Sequence, residues 1–223
     1  METSETETNF ESKYRLGVRI GSGAFCDVYS GVYKPNNNEV AIKLNRYDGY
    51  FLVKNEYERM TDIVSQFTPT PLDFGRNPSF IVLSLEGPSI VMVALAQTNQ
   101  KFSLNQCLYV MFHCFNALNY LVRCGFCHGD THMGNFVMSK TPGKAPILVI
   151  DFAGGKEATP SRVSLDVIMF LEYLQPHTEY HPTLFDNLRE MSRIGNDNGL
   201  ELYDQMLNFI KQQGFEENAP SPI

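Results

Sequence analysis

Leu16, Val18 and Ile20 alternate with other residues, and Val28, Tyr29 and Val32 resume an apolar pattern after a glycine-rich turn. This alternation predicts two strands over residues 14–33. A Pro/Asn turn at Lys34–Asn38 leads to a third strand at Glu39–Leu44. Between Tyr50 and Val64 the period lengthens, and Phe51, Val53, Tyr57, Met60, Ile63 and Val64 form the approximate stripe of a helix. The proline-rich Thr68–Leu72 leads into strands near Asp73–Gly75 and Phe80–Leu85, closed by Gly87-Pro88.

Beyond Gly87 the pattern is mostly helical. Ser103 stands as an N-cap before Leu104, Leu108, Met111, Phe115, Leu118 and Leu121, which share a face of a long helix ending near Arg123. Phe136–Met138 and Ile147–Ile150 flank the turn Thr141-Pro142-Gly143-Lys144 as a short hairpin. Helical spacing returns over 164–174, 183–192 and 199–213. A β-rich first third followed by an α-rich remainder predicts an α+β fold in two lobes. The expected division is a disordered acidic tail at 1–12, an N-lobe at about 13–86, a C-lobe at about 87–215 and a flexible tail at 216–223.

Composition narrows the partners. The net charge of −7 argues against nucleic acid or an anionic membrane. No apolar run approaches the roughly 18 residues that span a bilayer. Met1–Glu11 lacks the basic and apolar regions of a signal peptide, so an intracellular protein, cytoplasmic or nuclear and not secreted, is expected. Five cysteines, odd in number and mostly in apolar segments, predict reduced thiols. Cys124-Gly125-Phe126-Cys127-His128 spells a haem-attachment pattern, and its first part a dithiol motif. Packed thiols are the favoured reading, because no export signal accompanies the motif and His128 belongs to another one.

That other motif is His128-Gly129-Asp130-Thr131-His132-Met133-Gly134-Asn135-Phe136, followed by Val149-Ile150-Asp151-Phe152-Ala153. Asn135 lies five residues after Asp130, and Asp151 lies 21 residues after it. Phosphoryl transfer from Mg-ATP uses such a set: Asp130 facing the acceptor hydroxyl as catalytic base, Asn135 and Asp151 holding the metal. Upstream, the turn Gly21-Ser22-Gly23-Ala24-Phe25-Cys26-Asp27-Val28 lies between strands, where glycines let backbone N–H groups approach phosphates. The strand Val40-Ala41-Ile42-Lys43 follows, and a lysine ending an apolar strand needs a partner. Glu56 is preferred to Glu58, because Met60 lies four residues beyond it on the same face. His132 is placed either to contact phosphate or to pack, while His128 and Phe152 are expected to support the site by packing.

These residues resemble the eukaryotic protein kinases, and in particular the casein kinase I and vaccinia-related kinase group. The resemblance covers about residues 14–175 and rests further on Leu85-Glu86-Gly87-Pro88-Ser89-Ile90, Lys101-Phe102-Ser103-Leu104 and Asn135-Phe136-Val137-Met138. It implies ATP and Mg2+ as cofactors, with Lys43 and Glu56 orienting the phosphates. It makes Leu83 the gatekeeper and Ser84–Glu86 the hinge that reads adenine. Ala41 and Val137 sandwich the ring with Val28 above, and Ile20, Gly21 and Gly23 also belong to the nucleotide-binding set. Asp166 becomes the helix residue that hydrogen-bonds the catalytic-loop backbone.

There are departures. Cys26 replaces the third glycine of the turn, Gly129 an arginine (as in the vaccinia-related branch), and Ala153 a glycine. Only 14 residues separate Asp151 from Asp166, where the family has a full activation segment. The resemblance implies a protein Ser/Thr kinase acting on a protein substrate. A pseudokinase engaging a regulatory protein partner is the alternative. A small-molecule phosphotransferase is the second alternative, since the His-Gly-Asp-x-His-x-x-Asn loop is also similar to that of aminoglycoside and choline kinases.

Overall fold

The computed structural model describes residues 10–47, 50–76, 78–97, 101–179, 181–194 and 199–223. Its contacts divide the chain into two compact units, one running to Ser65 and including Pro69–Glu86, the other comprising Gln66–Thr68 and Gly87–Ile223. The expected lead-in falls mainly on residues 1–9, which lie outside the described residues.

The first unit is an antiparallel sheet carrying one long helix. After a helical turn, α1 (Phe10–Lys13), come β1 (Tyr14–Ser22), β2 (Cys26–Tyr33), β3 (Asn38–Asn45), helix α2 (Tyr50–Asp62), β4 (Pro71–Gly75) and β5 (Phe80–Ser84), in the sheet order β1-β2-β3-β5-β4. Phe10, Tyr14, Val40, Ile42, Phe80 and Val82 form a buried cluster in this unit. Each such side chain removed from water contributes about 1.5–3 kcal/mol before entropy is counted.

Helix α2 uses part of the expected stripe, Val53 and Met60, with Ile63 buried just beyond its end. Phe51 is 76 % and Val64 47 % exposed, whereas Val53, Glu56 and Met60 are buried. Positions 53, 56 and 60 follow the three- and four-residue steps of a helix face. The inward position between two apolar residues therefore belongs to a carboxylate.

The second unit holds α3 (Ile90–Ala96), α4 (Leu104–Arg123), β6 (Phe126–Cys127), β7 (Phe136–Met138), β8 (Ile147–Val149), β9 (Lys156–Glu157), α5 (Pro160–Leu174), α6 (Pro182–Ile194) and α7 (Gly199–Gln212). Ser103 caps α4 in a reciprocal capping box with Gln106, as its position before the apolar stripe predicts. Helix α3 was not predicted, because Ile-Val-Met-Val-Ala-Leu-Ala is apolar throughout and shows no period. Helix α5 begins at Pro160 rather than Ser164: Thr159 accepts from the Arg162 N–H at 3.4 Å, and proline is suited to the first helical turn.

Strands β7 and β8 pair Phe136 with Val149 and Met138 with Ile147, forming the expected hairpin. The C-terminal residues return along α4, where Phe215 packs 4.5 Å from Phe112 between ring centroids and Gln106 Nε2 donates to Pro222 O at 3.1 Å. None of the five cysteines, all among the described residues, forms a disulfide, and four are buried. Burial pushes the Cys107 thiol up to about 12 and that of Cys127 up to about 11.

Candidate active site

In the first unit the sheet register arranges the sequence-predicted residues around Lys43. Val28 lies opposite Gly21 on one side and Lys43 on the other, and Ala41 lies opposite Leu83. Lys43 Nζ donates to both carboxylate oxygens of Glu56, at 2.7 and 2.8 Å. Both side chains are nearly buried, 11 % and 6 % exposed, which favours a close pair because either charge alone would be poorly solvated. Glu58, by contrast, is exposed and meets Lys54 at 3.8 Å.

Ile20 is exposed and Glu86 buried. Ser84 is engaged within this unit: its N–H donates to Thr70 O, its hydroxyl accepts from Thr70 N–H, and the same hydroxyl bonds Glu86 Oε1 at 2.8 Å.

The second unit assembles the catalytic-loop candidates on α5. Asp166, 2 % exposed, accepts the His128 N–H on Oδ2 at 2.8 Å and the Gly129 N–H on Oδ1 at 2.9 Å. Its own carbonyl accepts from the Thr131 hydroxyl at 2.5 Å. Burial raises the Asp166 carboxyl above its ordinary pKa, while the N–H groups of Gly129 and His128 act in the opposite direction.

His128 is fully buried, with Nε2 2.8 Å from Ile150 O and the ring beside Phe152, so it supports the loop by packing and hydrogen bonding. Gly129 has φ +79, in the region that favours glycine, and a Cβ there would come within 3.0 Å of Gly154 O. This gives a local reason for glycine in place of the expected arginine.

Asn135 is buried at the end of this loop. Its Nδ2 donates to Asp130 O at 2.9 Å, which orients the amide, and its carbonyl accepts from Ile150 N–H at 2.9 Å. That last bond extends the β7–β8 ladder by one step and brings the backbone of Asp151 next to Asn135. Asp151 itself has φ 65 and ψ 76, a left-handed conformation that only Asn37 shares among the described non-glycine residues. Such strain persists only where the surroundings impose it, and it concentrates at functional sites.

A family model described as the protein kinase domain matches residues 14–180. The chain belongs to the protein kinase domain family. The β-rich first unit and the helical second unit fit the two lobes of that fold.

Sequence reasoning missed several supports of the candidate site. Met169 Sδ accepts from Thr131 N–H at 3.3 Å, and Tyr173 lies edge-on to His132 at 5.8 Å. His132 Nδ1 accepts from Gly134 N–H at 3.0 Å, while its Nε2 lies 3.7 Å from Asp130 Oδ2. Leu165 and Tyr173 are 60 % and 53 % exposed and line a shallow groove with Ile168, Met169 and Glu172. The short segment after Asp151 passes through the β6–β9 pair directly into α5. At the glycine turn, Arg46 forks onto Asp27 and also reaches Ser22. The signal for this last contact was an opposite-charge pair at adjoining strand ends, hidden because neither residue belongs to the usual motif.

Proposed function

We propose that the protein is an ATP- and Mg2+-dependent Ser/Thr kinase of the casein kinase I-like group, transferring the γ-phosphate to a protein hydroxyl. The observation that carries this reading is the loop from His128 to Asn135, fixed by Asp166 and joined through Asn135 to the strained Asp151. Asp130 has a side chain 53 % exposed, accessible to an acceptor, while its backbone carbonyl is tied to Asn135. In the proposed reaction Asp130 takes the hydroxyl proton as the oxygen attacks the γ-phosphorus, and ADP leaves.

Asn135 and Asp151 offer an amide and a carboxylate oxygen, hard donors that suit Mg2+. Bound Mg2+ supplies neutralisation of charge on the phosphate oxygens. Lys43, oriented by Glu56, would hold the α- and β-phosphates. Ile20, Val28, Ala41, Leu83 and Val137 would be the adenine-binding residues, with Ser84–Glu86 as the hinge, and Gly21 and Gly23 would allow close approach of the turn. Preorganisation of these charges is the main catalytic contribution. The exposed apolar groove beside Thr131 and His132 favours a protein acceptor over a small metabolite, because a peptide can bury it.

The test is transfer of labelled phosphate from ATP to casein or to the protein itself, followed by phosphoamino-acid analysis. Phosphoserine or phosphothreonine is expected, with a loss of about 10²–10⁴-fold in Asp130→Asn. Transfer equal in wild type and Asp130→Asn would overturn the reading, and phosphorylation of metabolites alone would replace it with the small-molecule one.

A further inference from the structure

Glycine turns that cover phosphates need backbone freedom, yet a freely moving turn must be ordered each time a ligand binds, at an entropic cost. In this protein the turn is held at its stem. Ser22 and Asp27 face each other where β1 ends and β2 begins. Arg46, just beyond β3, donates from Nε to Asp27 Oδ2 at 3.0 Å and from Nη2 to Asp27 Oδ1 at 2.8 Å. Nη2 also donates to Ser22 Oγ at 2.6 Å. The Arg46 N–H bonds Phe25 O at 3.0 Å, and within the turn Gly23 N–H bonds Cys26 O at 2.9 Å. One residue therefore grips both strands and the apex of the turn.

The chemistry of this grip is specific to arginine. A planar guanidinium can fork a carboxylate and still reach a hydroxyl, whereas an ammonium cannot reproduce that geometry. Arg46 and Ser22 hold the Asp27 carboxyl well below its usual range, which favours the charged form of the fork. Arg19 Nη1 lies 3.6 Å from the same carboxylate. Two guanidinium groups facing one carboxylate leave an excess positive charge at the mouth of the turn, the sign that attracts polyphosphate. Cys26, standing where a glycine is usual, is only 7 % exposed at the same stem.

We propose that Arg46 is a positioning residue for nucleotide binding. Through Asp27 and Ser22 it holds the glycine turn in its phosphate-accepting shape before ATP arrives. This rests on the kinase reading and adds a residue to it. Arg46 acts by reducing the ordering cost of binding, so its effect falls on ATP affinity more than on the transfer step.

The experiment compares wild type with Arg46→Ala, Arg46→Lys and the exchange Asp27→Arg/Arg46→Asp. ATP dissociation constants are measured by calorimetry with and without Mg2+, and amide exchange at Gly23 and Arg46 is followed in the nucleotide-free protein. Arg46→Ala should weaken ATP about five- to tenfold, Arg46→Lys less, and the exchange should recover part of the loss. Faster exchange at Gly23 should accompany the weakening, with the Ile42 amide in the sheet unchanged. Where kcat and KM can be read, KM for ATP should rise while kcat changes less. ATP affinity equal to wild type in Arg46→Ala overturns the proposal, as does an unchanged Gly23 exchange rate. Exchange that rises equally at Gly23 and Ile42 also overturns it, by showing general loosening of the sheet. Failure of wild type itself to bind ATP at millimolar concentration would overturn the kinase reading and this one with it, whereas failure of the variants to differ would overturn this one alone.

Discussion

Replacing Asp166 by alanine removes the acceptor of the buried His128 N–H at 2.8 Å and of the part-buried Gly129 N–H at 2.9 Å. A buried donor left without a partner costs about 1–3 kcal/mol, which applies in full to His128, whereas the Gly129 N–H lies nearer water and loses less. Part of this is offset, because the carboxylate is itself a costly buried charge, as its raised pKa indicates. A net loss of about 1–3 kcal/mol in urea unfolding is expected. Asp166→Asn should lose less, since its amide oxygen still serves one N–H while its NH2 faces the other.

The consequence for transfer is larger than for folding. The loop backbone carries Asp130, and a shift of about 1 Å in a reacting group costs on the order of 10²-fold in rate. The assay pairs urea unfolding with amide exchange at His128 and Gly129 and with phosphate transfer at a temperature where the variant remains folded. The comparison variant is Glu58→Ala on α2, whose side chain is 57 % exposed and meets Lys54 at 3.8 Å. It should cost no more than about 1 kcal/mol. If Asp166→Ala unfolds within about 0.5 kcal/mol of wild type and its two amides exchange no faster, Asp166 does not hold the loop.

Other substitutions probe separate parts of the molecule. Lys43→Met leaves Glu56 buried without its ion partner and should cost about 3–5 kcal/mol, whereas Lys43→Met/Glu56→Leu should recover most of the stability without restoring transfer; a double variant as unstable as the sum of the singles would refute this. Gly129→Ala forces a side chain into the left-handed region and toward Gly154 O, at about 1–2 kcal/mol, and an unchanged urea midpoint would show that the backbone relaxes instead. His113, 8 % exposed among Tyr109, Phe112 and Phe215, is pushed by burial from 6.5 to about 4, with Glu217 acting in the opposite direction. Its folded-state pKa is depressed, so its contribution is complete above the unfolded value of 6.5 and is lost as pH falls toward 4, up to about 3 kcal/mol. His113→Phe should flatten stability between pH 6.5 and 4, and a slope identical to wild type would assign the titration elsewhere.

The motifs around Lys43, Asp130, Asn135 and Asp151 were legible in the sequence because their chemistry requires fixed residue types at short spacings. The strands of the first unit and helix α4 were equally legible, since alternation and a capped helical stripe are local patterns. Choosing Glu56 over Glu58 also needed only helical geometry.

Tertiary structure decided what local pattern could not express. Phe51 matched a helix period but faces outward, because the face α2 buries is set by the sheet beneath it. Arg46 became a clamp on the glycine turn only when pairing of β2 with β3 carried Asp27 to it. The left-handed backbone of Asp151 and the bare apolar face of α5 likewise depend on neighbours distant in sequence. Periodicity records which side chains share a surface, whereas the identity of the opposing surface depends on chain segments the pattern does not contain.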